Sequence, residues 1–139
     1  MLTVDASIWV AAFDPLDPFH DPSLRFLTTA TSQGLRVLGP ALMPVEVACA
    51  IARRAGREEL DPAILDRLRA YPRLVLQPMD ELLLAEAARL GPARRLRAAD
   101  AVYAATAAVH KTPLVSWDRE LLERAGALTP TGWMERSGR

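Results

Sequence analysis

The chain has 139 residues, 50% of them hydrophobic, which is enough for one domain with a real core and too few for two ordinary domains. Its 17 basic and 17 acidic side chains cancel, so there is no global positive field of the kind that binds nucleic acid without sequence preference. We therefore treat residues 1–139 as a single domain and expect any contact with nucleic acid to be local.

Short β-rich runs alternate with longer helical patterns, which is typical of an α/β fold with a mainly parallel sheet of four to five strands flanked by helices. Strands are predicted at residues 2–5, 35–38, 73–76 and 114–116, with a weak fifth near Leu128. Helices are predicted at residues 6–13, 21–34, 40–55, 62–71, 80–91, 97–110 and 118–125. Aspartate followed by proline marks two of the helix starts, and Gly91-Pro92 is expected to end the fifth helix.

Cysteine, histidine and hydropathy exclude several classes of protein. The one cysteine, Cys49, excludes an internal disulfide, and its apolar neighbours predict a buried side chain. The two separated histidines, His20 and His110, do not make a zinc site. No apolar run approaches the ~20 residues of a membrane span, and the N-terminus lacks the basic start of a secretory signal. We expect a soluble, cytoplasmic protein with no membrane partner.

Four acidic residues stand at positions that the predicted fold brings together. Asp5 and Asp118 each follow a predicted strand, which places both at the carboxyl edge of the sheet, the usual ligand crevice of an open parallel sheet. Glu46 and Asp100 lie early in helices among apolar or small residues, unlike ordinary surface carboxylates. Taken singly, each acid has a plainer explanation as a helix cap or a partner of the helix dipole. Taken jointly, they predict one acidic pocket.

Such a pocket has a definite chemistry. Four close carboxylates repel one another unless a divalent cation neutralises them, and oxygen ligands favour Mg²⁺ or Mn²⁺. An ion of this kind polarises a phosphodiester oxygen and lowers the pKa of a bound water. Ser7 and Ser116, each two residues from an acid, offer hydroxyls that can hold a carboxylate or a water. The residues therefore indicate metal-dependent chemistry on a phosphate ester.

The segments that contain these acids resemble a known signature. They are Val4-Asp5-Ala6-Ser7, Pro44-Val45-Glu46-Val47-Ala48, Ala99-Asp100-Ala101-Val102-Tyr103 and Leu114-Val115-Ser116-Trp117-Asp118. In order and spacing they resemble the acidic signature of PIN-domain ribonucleases, in particular the VapC toxins of toxin–antitoxin pairs. The resemblance spans nearly the whole chain. Ser116 stands where many relatives have threonine, and Trp117 is bulkier than the resemblance leads us to expect.

The resemblance implies a fold, an activity and partners. The fold is PIN-like, and the activity is that of an Mg²⁺- or Mn²⁺-dependent endoribonuclease. Asp5, Glu46, Asp100 and Asp118 are then the metal-binding and catalytic acids, with Ser7 and Ser116 in support. The implied partners are the RNA substrate, a second copy of the chain in a homodimer, and a cognate VapB-like antitoxin whose C-terminal segment crosses the active groove.

Further charged and aromatic residues have competing explanations. The cluster of Arg94, Arg95 and Arg97 is a candidate contact for an RNA backbone, against the alternative of a solvated face. Turn and cap chemistry explains Asp14, Asp17 and Asp21. Trp9 and Phe13 are expected in the core or in a subunit contact rather than in a base-stacking platform. Arg53, Arg54 and Arg57 suit a helix C-terminus and are assigned no function, and Glu120 is expected to be exposed.

Two other functions remain as alternatives to the nuclease. A phospho-acceptor regulatory domain also gathers acids at the edge of a parallel sheet, but here the third strand is followed by Gln77-Pro78 and the only lysine is Lys111. A non-catalytic binding module with structural acids is the other alternative, and a calorimetric titration with Mg²⁺ or Mn²⁺ distinguishes it. Neither the RNA that is cut nor the number of ions follows from the sequence.

Overall fold

The computed structural model describes residues 1–138, and within this range one parallel sheet of four strands is flanked by eight helices. The strands are β1 (Leu2–Val4), β2 (Val37–Pro40), β3 (Leu74–Gln77) and β4 (Leu114–Val115). The helices are α1 (Ala6–Phe13), α2 (His20–Ser32), α3 (Met43–Ala55), α4 (Pro62–Arg69), α5 (Glu81–Arg94), α6 (Ala98–His110), α7 (Arg119–Arg124) and α8 (Pro130–Ser137). The predicted α/β class with a parallel sheet is confirmed.

The strand order, β3-β2-β1-β4, places the first and last strands beside each other. Leu2 of β1 pairs with Val37 of β2, and Val4 on the other side pairs with Val115 of β4. The chain leaves β1 towards β2, whereas β4 returns on the opposite side of β1. The carboxyl ends of β1 and β4 therefore border the switch point of the sheet, where open α/β sheets bind ligands.

The core lies around β1 and the helices packed on it. Every residue of β1 is buried, as expected of a central parallel strand covered on both faces. Trp9 is 1% exposed and meets the ring of Tyr71 edge-on, with 4.9 Å between centroids. Its predicted core position is confirmed, whereas Phe13 is half-buried beneath the guanidinium of Arg67.

The predicted end of the fifth helix at Gly91-Pro92 is wrong. Helix α5 continues through Pro92 and ends at Arg94. The residue that follows, Arg95, caps the helix in the left-handed conformation, with a φ of 55°. The glycine serves packing instead, because a Cβ at Gly91 would lie only 3.2 Å from the Cβ of Ala101 on α6. Gly91 thus permits the close approach of α5 to the helix that carries Asp100.

The prediction that the helix at residues 118–125 is the last one is also wrong. Helix α8 follows it, with the side chain of Thr129 accepting a hydrogen bond from the N–H of Gly132 and with Pro130 in the first turn. Trp133 of α8 meets Phe26 edge-on at 5.3 Å between ring centroids. The weak fifth strand reduces to a single parallel bridge between Val115 and Leu128.

Strand β2 and helix α3 begin two to three residues later than predicted, at Val37 and Met43 instead of 35 and 40. Pro40 ends the strand and is not in the helix, and the N–H of Ala41 donates to the carbonyl of Gln77 to close the ladder. No helix in residues 1–138 is long and apolar enough to cross a membrane. A single domain over residues 1–139 stays a prediction.

Candidate active site

The four predicted acids all line one open pocket of about 840 Å³ at the switch point of the sheet. Asp5 caps α1 and Asp118 caps α7, each accepting a hydrogen bond from a main-chain N–H of the following turn. Glu46 and Asp100 lie in the first turns of α3 and α6. The plain capping explanation is therefore true of Asp5 and Asp118, and it does not exclude a further role.

A hydroxyl bridge connects the acids that follow β1 and β4. Ser116 is fully buried, and its Oγ donates to Oδ2 of Asp5 at 2.9 Å and accepts from the N–H of Asp118 at 2.8 Å. The Oγ of Ser7 lies 3.4 Å from that of Ser116 and accepts from the N–H of Trp117 at 3.1 Å. Burial raises the pKa of the Asp5 carboxyl, and hydrogen bonds from Ser7 and Ser116 oppose this only in part.

Glu46 is a half-buried acid that carries a clear electrostatic cost. Burial, followed by the charges of Asp5 and Asp100, raises its pKa to about 7. Its Oε1 and the hydroxyl of Tyr103 are both buried without a hydrogen bond of good geometry, and the phenol of Tyr103 opposes part of the rise in the Glu46 pKa. Burial, with the charges of Asp5 and Glu46, raises the pKa of the Tyr103 phenol as well, so it stays protonated. Tyr103 lies three residues after Asp100 on one face of α6, a spacing from which it was predictable.

We expect Glu46→Gln to stabilise the metal-free protein at pH 8 but not at pH 4. The pKa of Glu46 is raised from 4.5 to about 7 in the folded state, so the folded protein binds the proton more tightly than the unfolded chain does. The stability is therefore highest with Glu46 protonated, and it falls as the pH rises from 4.5 to about 7. Because the side chain is only half-buried, we discount the shift to about 1–2 kcal/mol, or roughly 3–8 °C in melting temperature.

Thermal melts of both proteins in EDTA at the two pH values measure this difference. Glu81→Gln is the matched control, since Glu81 is an exposed acid in the first turn of α5. An equal effect of Glu46→Gln at pH 4 and pH 8 would contradict the electrostatic explanation.

Arg97 lies across the acids on the α6 side of the pocket. Its guanidinium is 3.3 Å from Asp100, 3.5 Å from Asp118 and 3.6 Å from Glu120, although its side chain is 71% exposed. Burial and the charge of Asp118 raise the pKa of the Asp100 carboxyl, and Arg97 opposes the shift. Arg97 therefore partly neutralises the positions at which a cation would bind.

The donor set fits a divalent cation. It consists of hard carboxylate oxygens whose mutual repulsion is unrelieved at Glu46, and one of these oxygens is buried without a hydrogen bond of good geometry. Among residues 1–138, no three acidic, histidine or cysteine side chains form a compact set of ligands. Mg²⁺ usually takes one or two protein carboxylates and keeps several waters, so it does not require such a set. The metal-binding roles of the four acids stay predictions.

We expect Arg97→Gln to increase the affinity for Mn²⁺, because it removes a positive charge that competes for Asp100 and Asp118. The exposed guanidinium limits the gain to about two- to fivefold, the range of a surface ion pair. Isothermal titration calorimetry at low salt measures it, with Arg94→Gln as control. Arg94 contacts the carbonyl of Ala125 and forms no ion pair with these acids. Unchanged or weaker Mn²⁺ binding by Arg97→Gln would refute the competition.

The remaining predicted residues have mixed outcomes. Arg94 and Arg95 do not line the acidic pocket, whereas Arg97 does. Glu120 is half-buried rather than exposed, since it shares Arg97 with the cluster and also lies 3.5 Å from Arg124. Cys49 is exposed rather than buried and lines the pocket, because the buried residues of α3, Met43 and Val47, occupy the opposite side of the helix.

The turn chemistry predicted for the loop after α1 is confirmed at Asp14 and Asp17, whereas the cap predicted at Asp21 is wrong, because α2 begins at His20 after Phe19 and has no side-chain cap. Oδ1 of Asp14 and Oδ1 of Asp17 accept hydrogen bonds from the N–H groups of Leu16 and Phe19. The same two acids bind Arg54, at 2.9 Å and 2.6 Å, which ties this loop to α3. Arg54 thus has a structural role that its position at a helix end did not reveal.

Comparison with known proteins identifies the class. The PIN domain family matches residues 2–127, and the chain belongs to this family. PIN domains are generally nucleases that use divalent metal ions. A search of curated proteins gave no match.

Several solved structures share the fold. PAE2754 from Pyrobaculum aerophilum is 23% identical, with a TM-score of 0.67 over 99% of this chain and 97% of that one. A toxin–antitoxin complex from Klebsiella pneumoniae gives 15% identity and a TM-score of 0.69 over 94% and 98% of the two chains. FitAcB from Neisseria gonorrhoeae is 18% identical, with a TM-score of 0.65 over 96% of this chain and 99% of that one. At these identities the similarity establishes the fold alone.

Proposed function

We propose that this protein is a metal-dependent endoribonuclease of the VapC toxin type. The observation that carries the proposal is the meeting of Asp5, Glu46, Asp100 and Asp118 in one pocket at the switch point of a PIN-family sheet. They come from four different helix starts, and only the tertiary fold brings them together. Their unrelieved repulsion supports a cation in this pocket.

The cation is Mg²⁺ or Mn²⁺, bound directly by one or two of the carboxylates of Asp5, Asp100, Asp118 and Glu46 and through its waters by the others. When bound, it supplies polarisation of a phosphodiester oxygen and a lowered pKa for water. Ser116 fixes the carboxylate of Asp5 and the main chain of Asp118, so the two acids keep their orientation without reorganising. Burial and the charges of Asp5 and Asp100 raise the pKa of Glu46 to about 7 in the metal-free protein, and a bound cation would relieve this repulsion.

The RNA is bound locally rather than by a global field. Arg53 and Arg97 line the pocket of a chain whose net charge is zero, and Arg54 beside them is held by Asp14 and Asp17. Arginines at a pocket rim position phosphates and do not read sequence. The RNA is therefore expected to enter along this rim, with one phosphate reaching the acids.

The proposed partners are a second copy of the chain and a VapB-like antitoxin in the cytoplasm. A structural neighbour from Klebsiella pneumoniae is part of a toxin–antitoxin complex, which supports an antitoxin for this chain too. A short reading frame beside the gene would provide the candidate, and co-expression with affinity capture would test the pairing.

The direct test is cleavage of RNA by the purified protein. We expect cleavage with Mg²⁺ or Mn²⁺ and none with EDTA, and sequencing of the new RNA ends would define the sites. A folded protein that binds neither ion by calorimetry and leaves RNA intact would refute the proposal and favour a binding module.

A further inference from the structure

Two aromatic rings lie stacked at the rim of the acidic pocket. Phe19, the residue before α2, and Trp117, the residue before Asp118, have ring centroids 4.3 Å apart and planes inclined by only 13°. Both rings line the same pocket as the four acids. Trp117 stands in the chain between Ser116, which binds Asp5, and Asp118, so the rings are next to the acids.

The pair is held in place by hydrogen bonds at both residues. The indole N–H of Trp117 donates to Oγ of Ser23 at 2.8 Å, and its main-chain N–H donates to Oγ of Ser7 at 3.1 Å. The N–H of Phe19 donates to Oδ1 of Asp17 at 2.7 Å. Ser23 is fully buried, so Trp117 is anchored to the core. These contacts preorganise the rings before any ligand arrives.

The pair stays partly open to solvent. Phe19 is 43% exposed although Trp117 covers one face of its ring. An exposed aromatic ring fixed in orientation, at the mouth of a pocket lined by acids and by Arg53, is a poor core element and a good stacking surface.

We propose that the exposed ring of Phe19 stacks with one unpaired nucleobase of the RNA, while Trp117 supports the ring from behind. The inference rests on the proposed function and adds a base-binding subsite to it. A base inside a duplex has no free face, so this subsite selects single-stranded RNA. Stacking tolerates all four bases, so we expect little sequence preference at this position.

The test is a binding measurement with a short, fluorescently labelled single-stranded RNA of mixed sequence, in the presence of Mg²⁺. All proteins carry Asp5→Asn, which prevents hydrolysis under the proposed function. We expect Phe19→Ala and Phe19→Leu to weaken binding about 5- to 150-fold and Phe19→Trp to retain it. Leu16→Ala is the matched control, since Leu16 is 93% exposed in the same loop and does not line the pocket.

A double-mutant cycle separates stacking from a structural role. The same RNA is made as a series in which each member lacks a single base. We expect one abasic position to weaken binding by the Phe19 protein and to have no further effect on Phe19→Ala. Circular dichroism and thermal melts verify that the variants are folded.

Each other outcome overturns the inference. Equal binding by Phe19→Leu would exclude stacking, and an equal loss across the whole abasic series would assign Phe19 to the shape of the pocket. Normal RNA binding by Phe19→Ala, with loss of a co-expressed protein partner, would assign the surface to that partner. If the folded Asp5→Asn parent binds no RNA and the unmodified protein neither binds nor cleaves it, the proposed function fails and the subsite with it.

Discussion

Asp5→Asn is expected to reduce RNA cleavage by at least about two orders of magnitude, since the polarisation supplied by a bound metal ion is worth several kcal/mol. The stability of the fold is expected to stay the same or to rise. Asparagine can still cap α1 by accepting from the N–H of Ser7, and it removes a buried charge whose pKa is raised by burial. Activity and stability should therefore separate in this variant.

Asp61→Asn is the matched control for Asp5→Asn. Asp61 caps α4 in the same way, accepting from the N–H of Ala63 at 3.0 Å, but it is exposed and does not line the acidic pocket. Cleavage assays, Mn²⁺ titration and thermal melts of both variants provide the comparison. Cleavage by Asp5→Asn at the rate of the unmodified protein would remove Asp5 from the chemistry.

Ser116→Ala should lower both cleavage and stability. The hydroxyl lies in a fully buried position between Asp5 and Asp118, and its loss removes one of the two donors to Oδ2 of Asp5 and leaves the N–H of Asp118 without its partner. We expect a loss of about 1–3 kcal/mol in stability. Cleavage measured well below the melting temperature should fall by about 10- to 100-fold, because 1 Å of misplacement at a site costs about this much.

Thr106→Val is the control that separates the two effects. Thr106 is also fully buried, and its hydroxyl donates to the carbonyl of Val102 within α6, away from the acids. The control should lose stability and keep cleavage. If Ser116→Ala retains full cleavage and Mn²⁺ affinity, the hydroxyl bridge is structural only.

The parts of the site that the sequence predicted are those with local signals. Asp5 and Asp118 follow strands and begin helices, and both properties are encoded within a few neighbouring residues. The end of the sheet at which they meet follows from the parallel topology. The same local signal is present at α8, where Thr129-Pro130 repeats the cap and proline of Asp61-Pro62.

The parts that were not predicted depend on distant residues or on the phase of a helix. The stacking of Phe19 on Trp117 joins two turns that are far apart in the sequence, and the residues around either turn do not predict the contact. Arg97 was recognised as a basic residue, but its contacts with Asp118 and Glu120 on another helix were not. Cys49 was placed in the core by its apolar neighbours, although the helical period turns it outward.

The bond between Asp5 and Ser116 joins residues 111 positions apart. During translation β1, β2 and β3 are therefore made before β4, the strand that leads to Ser116 and so to the hydrogen bond that orients Asp5. Incomplete translation products that stop before residue 114 lack both β4 and Asp118. The order of the strands thus delays assembly of the pocket until synthesis is nearly finished, and truncated fragments of the protein lack a complete acidic pocket.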